Sequence, residues 1–105
     1  MSKGPKAYND FIRKFPDLGK AWEQIGEAGK KGPLDERTCR LIKFGIAAGA
    51  QKEGPAHASV RKALKMGISV EELEQVVVLL AGTLGMPAAV TAFCWIRDEV
   101  DRKKK

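Results

Sequence analysis

A chain of 105 residues, 44% hydrophobic and 30% charged, has the makeup of one globular domain with a modest core, which excludes a disordered chain. The net charge of +6 is unevenly spread: residues 1–34 carry 7 basic and 4 acidic groups, residues 35–68 carry 7 and 3, and residues 69–105 carry 5 and 6. A basic surface favours anionic partners. Without a helix-turn-helix signature or aromatic-basic interleaving, it argues against nucleic acid.

Met1–Gly4 is expected to be disordered. From Pro5 to Phe15 the apolar residues Ala7, Tyr8, Phe11, Ile12 and Phe15 have the spacing of a short amphipathic helix. Pro16 should break it, and Asp17 is suited to cap a second helix with Leu18, Ala21, Trp22, Ile25 and Ala28 on one face. Gly29 to Pro33 reads as an exposed loop. Asp35 caps a third helix, with Cys39, Ile42, Phe44, Ile46 and Ala47 supplying apolar surface. After a connection over Gln51–Gly54, Pro55 fits the first position of a fourth helix, whose inner face carries Val60, Ala63 and Leu64. Gly67 is its expected left-handed stop. Ser69 and Glu72 then form a capping box, flanked by Ile68 and Leu73 at the spacing of a hydrophobic staple. The fifth helix carries Val76–Leu80 and should bend or stop around Gly82–Gly85. The sixth restarts at Pro87 and ends in the charged segment Arg97–Arg102. The final Arg102–Lys105 run reads as a solvated, fraying tail. No period-2 alternation competes, so the fold class is all-α, with about six helices.

Val76 through Ile96 contains no charged residue, a run long enough to span a bilayer. Gly82, Thr83, Gly85 and Pro87 interrupt its middle, which favours two helices of a buried apolar hairpin over a membrane span. Two such helices have more apolar surface than a chain this small can hide, so a homo-oligomer is expected. Cys39 and Cys94 have neither CxxC nor zinc-finger spacing, and no secretory segment opens the chain. Free thiols in a reducing cytoplasm are the expectation.

Leu34-Asp35 with its helix, Ala56-His57-Ala58-Ser59-Val60-Arg61-Lys62-Ala63-Leu64, Gly67-Ile68-Ser69-Val70-Glu71-Glu72-Leu73 and Thr83-Leu84-Gly85-Met86-Pro87-Ala88-Ala89 follow one another in this order. Together they resemble the carboxymuconolactone decarboxylase family, within the superfamily of the AhpD-like alkylhydroperoxidases. The resemblance covers about residues 33–96. It implies an AhpD-like helical domain over 33–105, preceded by an N-terminal helical extension over 1–32, in a single compact domain overall. It also implies a central helical hairpin that packs in trimers or hexamers. AhpD-like members carry a CxxC pair, a histidine three residues after it, and a glutamate on the preceding helix. Laid over this chain, the cysteines fall at Lys52 and Pro55, the histidine at Ser59 and the glutamate near Arg40. The redox groups are missing, so thiol peroxidase activity is not expected.

His57, the chain's only histidine, is the candidate catalytic acid or base, since this residue type titrates near neutrality. Packing at a subunit boundary is its structural alternative. Arg61 lies one helical turn further on and can share its face. Arg40, Lys52, Ser59 and Arg61 are the candidate substrate-binding residues, a cationic cradle for a small anionic organic acid. A solvated basic face is the alternative for the lysines. Cys39, beside Arg37 and Arg40, is the one redox candidate, though small buried hydrophobe is the simpler reading of both cysteines. One histidine with Glu53 is not a metal-ligand set, and no metal or cofactor is implied. Three functions stay open: a decarboxylase-like lyase acting on an organic acid, an AhpD-like relative with a degenerate redox centre, and a non-enzymatic oligomeric binding protein.

Overall fold

The computed structural model describes residues 4–103, which form six α-helices: α1 (Gly4–Lys14), α2 (Pro16–Lys30), α3 (Glu36–Gly49), α4 (Glu53–Lys65), α5 (Val70–Leu84) and α6 (Met86–Lys103). The disorder expected at Met1–Gly4 falls mostly outside the described residues, and Gly4 itself opens α1. Lys104 and Lys105 of the expected tail also lie outside them, while Arg102 and Lys103 belong to the last turn of α6.

Two compact units divide the chain, Met1–Pro33 and Leu34–Lys105. In the first, α1 and α2 form a hairpin. Gly19 approaches Ile12 so closely that an added Cβ would lie 3.1 Å from the Ile12 Cβ. The cap of α2 is Phe15 rather than Asp17, with Pro16 directly inside the helix and Asp17 in its first turn. The proline therefore both ends α1 and starts α2: its missing N–H falls where no intrahelical partner exists anyway.

In the second unit α3 packs on α4 and α5 on α6, while α3–α5 and α4–α6 contacts close the bundle. Its core is built from Phe44, Val60, Ile68, Leu73 and Ile96, the largest fully buried side chains, with the small residues Ala48, Ala56, Ala63 and Ala92 between them. Alanine at these positions lets helix backbones approach closely, which a core of this size needs in order to stay void-free. The fourth helix starts at Glu53 and not at Pro55. Proline takes the third position, where its lack of an N–H is still harmless.

Turn chemistry fixes the α4–α5 corner. The Ile68 N–H bonds to the Ala63 carbonyl at 3.0 Å and the Gly67 N–H to the Leu64 carbonyl at 3.1 Å, a Schellman ending with Gly67 at φ +85°. Ser69 and Glu72 then exchange the two bonds of the capping box, and the staple residues Ile68 and Leu73 are both buried. The α5–α6 break is sharper than the sequence suggests. α5 runs without interruption to Leu84, Gly85 takes φ +98°, and α6 begins at once with Met86. No helix is long and apolar enough to cross a membrane among the described residues.

Candidate functional site

α4 and α6 run in the same direction where they meet, so that residues 57, 61 and 65 of one descend beside 95, 99 and 102 of the other. Glu99 is the centre of this junction. Its side chain is 4% exposed, and its Oε2 lies 2.6 Å from His57 Nδ1, 3.0 Å from Arg61 Nη1 and 3.7 Å from Arg102 Nη1. Burying a carboxylate is costly unless donors surround it, and here three basic side chains do so. The His57 ring is itself 17% exposed, with its other nitrogen 3.3 Å from Glu53 Oε2 and the Trp95 ring centroid 6.1 Å away. Both ring nitrogens therefore face a carboxylate oxygen, Nδ1 that of buried Glu99 and Nε2 that of exposed Glu53.

The candidate residues of the sequence do not all meet. His57 and Arg61 come together, as their i, i+4 spacing requires, and Glu53 joins the same stripe one turn earlier. Ser59 lies two residues on, about 200° around the helix, and faces α3 instead. There its Oγ accepts from Arg40 Nη1 at 3.4 Å. Ser59 is 6% exposed, and Arg40 Nε is buried without a hydrogen-bond partner. Lys52 is the N-cap of α4, exposed, with no side-chain bond among the described residues. Cys39 is half-buried in the first turn of α3, its Sγ 3.7 Å from the Leu34 carbonyl, and Cys94 is exposed on α6. Both thiols are free. No cluster of three or more His, Cys, Asp or Glu side chains suited to a metal occurs among the described residues.

Glu99 is the residue that the sequence reading passes over within the charged segment 97–102. Its helical register marks it: Ala92, Trp95 and Ile96 are the buried stripe of α6, and position 99 continues that stripe with an acid. An acidic residue in an apolar stripe needs a basic partner on the facing helix, and His57 and Arg61 provide one.

Beside Glu99 lies a hollow of about 220 Å³, lined by Arg61, Leu64, Lys65, Glu99, Arg102 and Lys103. His57 is not among its walls; Arg61 and Glu99 connect the two.

A second electrostatic cluster sits at the start of α3 and α5. Asp35 accepts from the Thr38 backbone N–H at 2.7 Å, and Arg37 pairs with Glu72. The Thr38 hydrogen bonds, with a contribution from Arg37, hold the Asp35 carboxyl below its ordinary range. For Glu72 the Ser69 N–H acts in the same direction, followed by the bond from Arg37. These groups build helix starts.

A model of the carboxymuconolactone decarboxylase family matches residues 16–98. The match begins at Pro16, so it takes in α2, ahead of the residues on which the resemblance in the sequence rests. A solved structure of a carboxymuconolactone decarboxylase family protein from Legionella pneumophila superposes with a TM-score of 0.79 at 22% identity, covering 90% of this chain and 88% of that one. At that identity the likeness speaks for the fold. Among curated proteins, none matches the sequence. With the family matched over most of its length and the helical fold shared, this chain belongs to the carboxymuconolactone decarboxylase family.

Proposed function

We propose that the chain binds a compact organic anion at the α4–α6 junction and transfers a proton to or from it through His57. The observation that carries this reading is the 2.6 Å contact between His57 Nδ1 and the buried Glu99. A carboxylate held against one ring nitrogen fixes the orientation of the imidazole, and a positioned imidazole is the side chain best suited to general acid or base work. Arg61, bound to the same carboxylate but 45% exposed, supplies a fixed cation for the negative charge that decarboxylation or lactone opening develops. Arg40, Ser59 and Lys52, expected in the same clamp, have no bond to this cluster. They stand as a separate pair and a lone cation.

The test is a panel of small lactone and keto carboxylates, followed by release of carbon dioxide or by ring opening. Wild type should turn over at least one member, and His57→Gln should be slower by roughly 10² or more. Equal rates in the two proteins would remove His57 from the chemistry. Binding without turnover in wild type would leave an oligomeric binding protein.

The second reading, hydroperoxide reduction, is disfavoured by what occupies the redox positions: Lys52, Pro55, Ser59 and Arg40. Thiol-dependent consumption of hydroperoxide, lost in Cys39→Ser, would reinstate it. Assembly belongs to this proposal too. Val78, Leu79, Met86 and Val90 of the apolar hairpin are each more than half exposed, which supports a homo-oligomer, a trimer or hexamer by family. The two free thiols support a reducing, cytoplasmic setting.

A further inference from the structure

We infer that the α1–α2 hairpin is an interaction surface whose partner is the same hairpin of a second copy, the two closing into an antiparallel four-helix bundle. The inference is independent of the organic-acid reading, and it concerns a face apart from the apolar α5–α6 hairpin.

The first unit has almost no interior of its own. Among its described residues Gly19 alone is buried and Ile12 alone half-buried. Tyr8, Phe11 and Phe15 of α1 and Leu18, Trp22 and Ile25 of α2 are between 41% and 62% exposed. All of these but Phe15 line one apolar groove of about 440 Å³ between the two helices, and the Phe15 ring packs on Phe11 at 5.3 Å. An apolar stripe on an otherwise charged helix is a stripe to be buried. Helices of 11 and 15 residues are also at or below the length that holds in water without packing. With each of these six side chains offering on the order of 100 Å² of uncovered area, two hairpins face to face bury on the order of 1,200 Å², the lower end of specific interfaces.

Charge selects the occupant. α1 carries Lys6, Arg13 and Lys14 against Asp10, whereas α2 carries Asp17, Glu23 and Glu27 against Lys20 and Lys30. Lys14, Asp17 and Glu23 make no ion pair among the described residues. Two hairpins can meet face to face about a two-fold axis across the helices, which sets α1 on α1. With the axis along the helices, each α1 lies antiparallel on the α2 of the other copy. Only the second arrangement pairs a net positive helix with a net negative one, and it is the up-down packing of a four-helix bundle. Such a contact is isologous: one patch meets itself and closes at two copies. The stretch Val76–Ile96, which holds the exposed apolar residues of α5 and α6, contains no charge with which to align the hairpin. The acids of α2 likewise oppose an anionic lipid surface, which attracts amphipathic helices whose polar face is basic.

The test uses the full chain. Unlabelled and heavy-isotope-labelled protein, mixed and left to exchange, is treated with a carbodiimide, which joins a lysine to a carboxylate in direct contact. Mixed-isotope cross-links should connect Lys6 or Lys14 to Asp17, Glu23 or Glu27. Mixed-isotope links that run from the hairpin to residues 34–105, with none between hairpins, overturn the inference. Light scattering separates this contact from the one at α5–α6. Val78→Asp should leave a dimer held by the hairpins, and adding Ile25→Asp should halve its mass. A monomer in Val78→Asp alone, or an unchanged dimer in the double variant, overturns the inference and leaves the organic-acid reading standing. Cross-links are read on wild type, so they decide even where a variant unfolds. Sedimentation of wild type but not Ile25→Asp with phosphatidylserine vesicles, without hairpin cross-links, would assign the face to a membrane instead.

Discussion

Glu99 collects three basic side chains on a single oxygen, and they do not contribute equally. His57 makes the shortest contact and is itself largely buried, whereas Arg61 and Arg102 are 45% and 67% exposed and are screened by water. Removing His57 therefore leaves a buried carboxylate short of a donor, and His57→Phe should cost about 1–3 kcal/mol in urea unfolding. Arg102→Gln, at the longest distance and most exposed, should cost well under about 1 kcal/mol. A second residue-scale expectation concerns acid. Asp35 and Glu72 are held below their ordinary carboxylate range by hydrogen bonds and Arg37, so the folded state favours their ionised forms. Their stabilisation is complete above that range and is lost as pH falls through it toward the folded values. Melting curves from pH 6 downward should show a shallower loss of stability in Glu72→Gln than in wild type. Parallel curves would contradict this.

At the scale of elements, the helix ends differ in how well their residues suit them. Gly67 ends α4 with the residue that a left-handed turn favours. The same ending closes α3, where the Lys52 N–H bonds to the Ala47 carbonyl at 2.9 Å and the Gln51 N–H to the Ala48 carbonyl at 3.0 Å. There the left-handed residue is Gln51, at φ +58°. A side chain in this conformation is disfavoured by about 1 kcal/mol, so Gln51→Gly should raise stability by up to about that amount, measured as a shift in the urea midpoint. The helices themselves were legible from spacing because caps, prolines and apolar stripes act within a few residues: Asp35, Ser69, Gly67 and the Ile68–Leu73 staple all do what local chemistry demands. α4 starts at Glu53, two residues before Pro55, since proline tolerates any of the first helical positions and marks none of them alone. Half of the candidate site was equally legible. His57 and Arg61 share a stripe by helical geometry, but Glu99 depends on which helix lies across from α4 and in which direction, and no local rule carries that.

The whole molecule leaves much apolar surface uncovered. Within the second unit Ile42, Ile46, Val78, Leu79, Leu84, Met86 and Val90 are all exposed, on α3, α5 and α6. A charge on this surface disturbs nothing inside the subunit, so Val78→Asp should preserve helicity while lowering the mass seen by light scattering to that of a smaller species. Wild type that is already monomeric at micromolar concentration would contradict the proposed assembly. The basic excess of +6 acts at the same scale: it raises the local concentration of anions around the molecule, an effect that added salt removes.

α4 separates two polar pairs that share no atom, His57 with Glu99 on one side and Ser59 with Arg40 on the other. Groups without common partners behave additively, so each pair can be altered without disturbing the other. In evolutionary terms such a helix is a wall with two usable surfaces. A lineage that loses reactive residues from the α3 surface keeps a scaffold on which the α6 surface can acquire its own, by point substitution and without refolding.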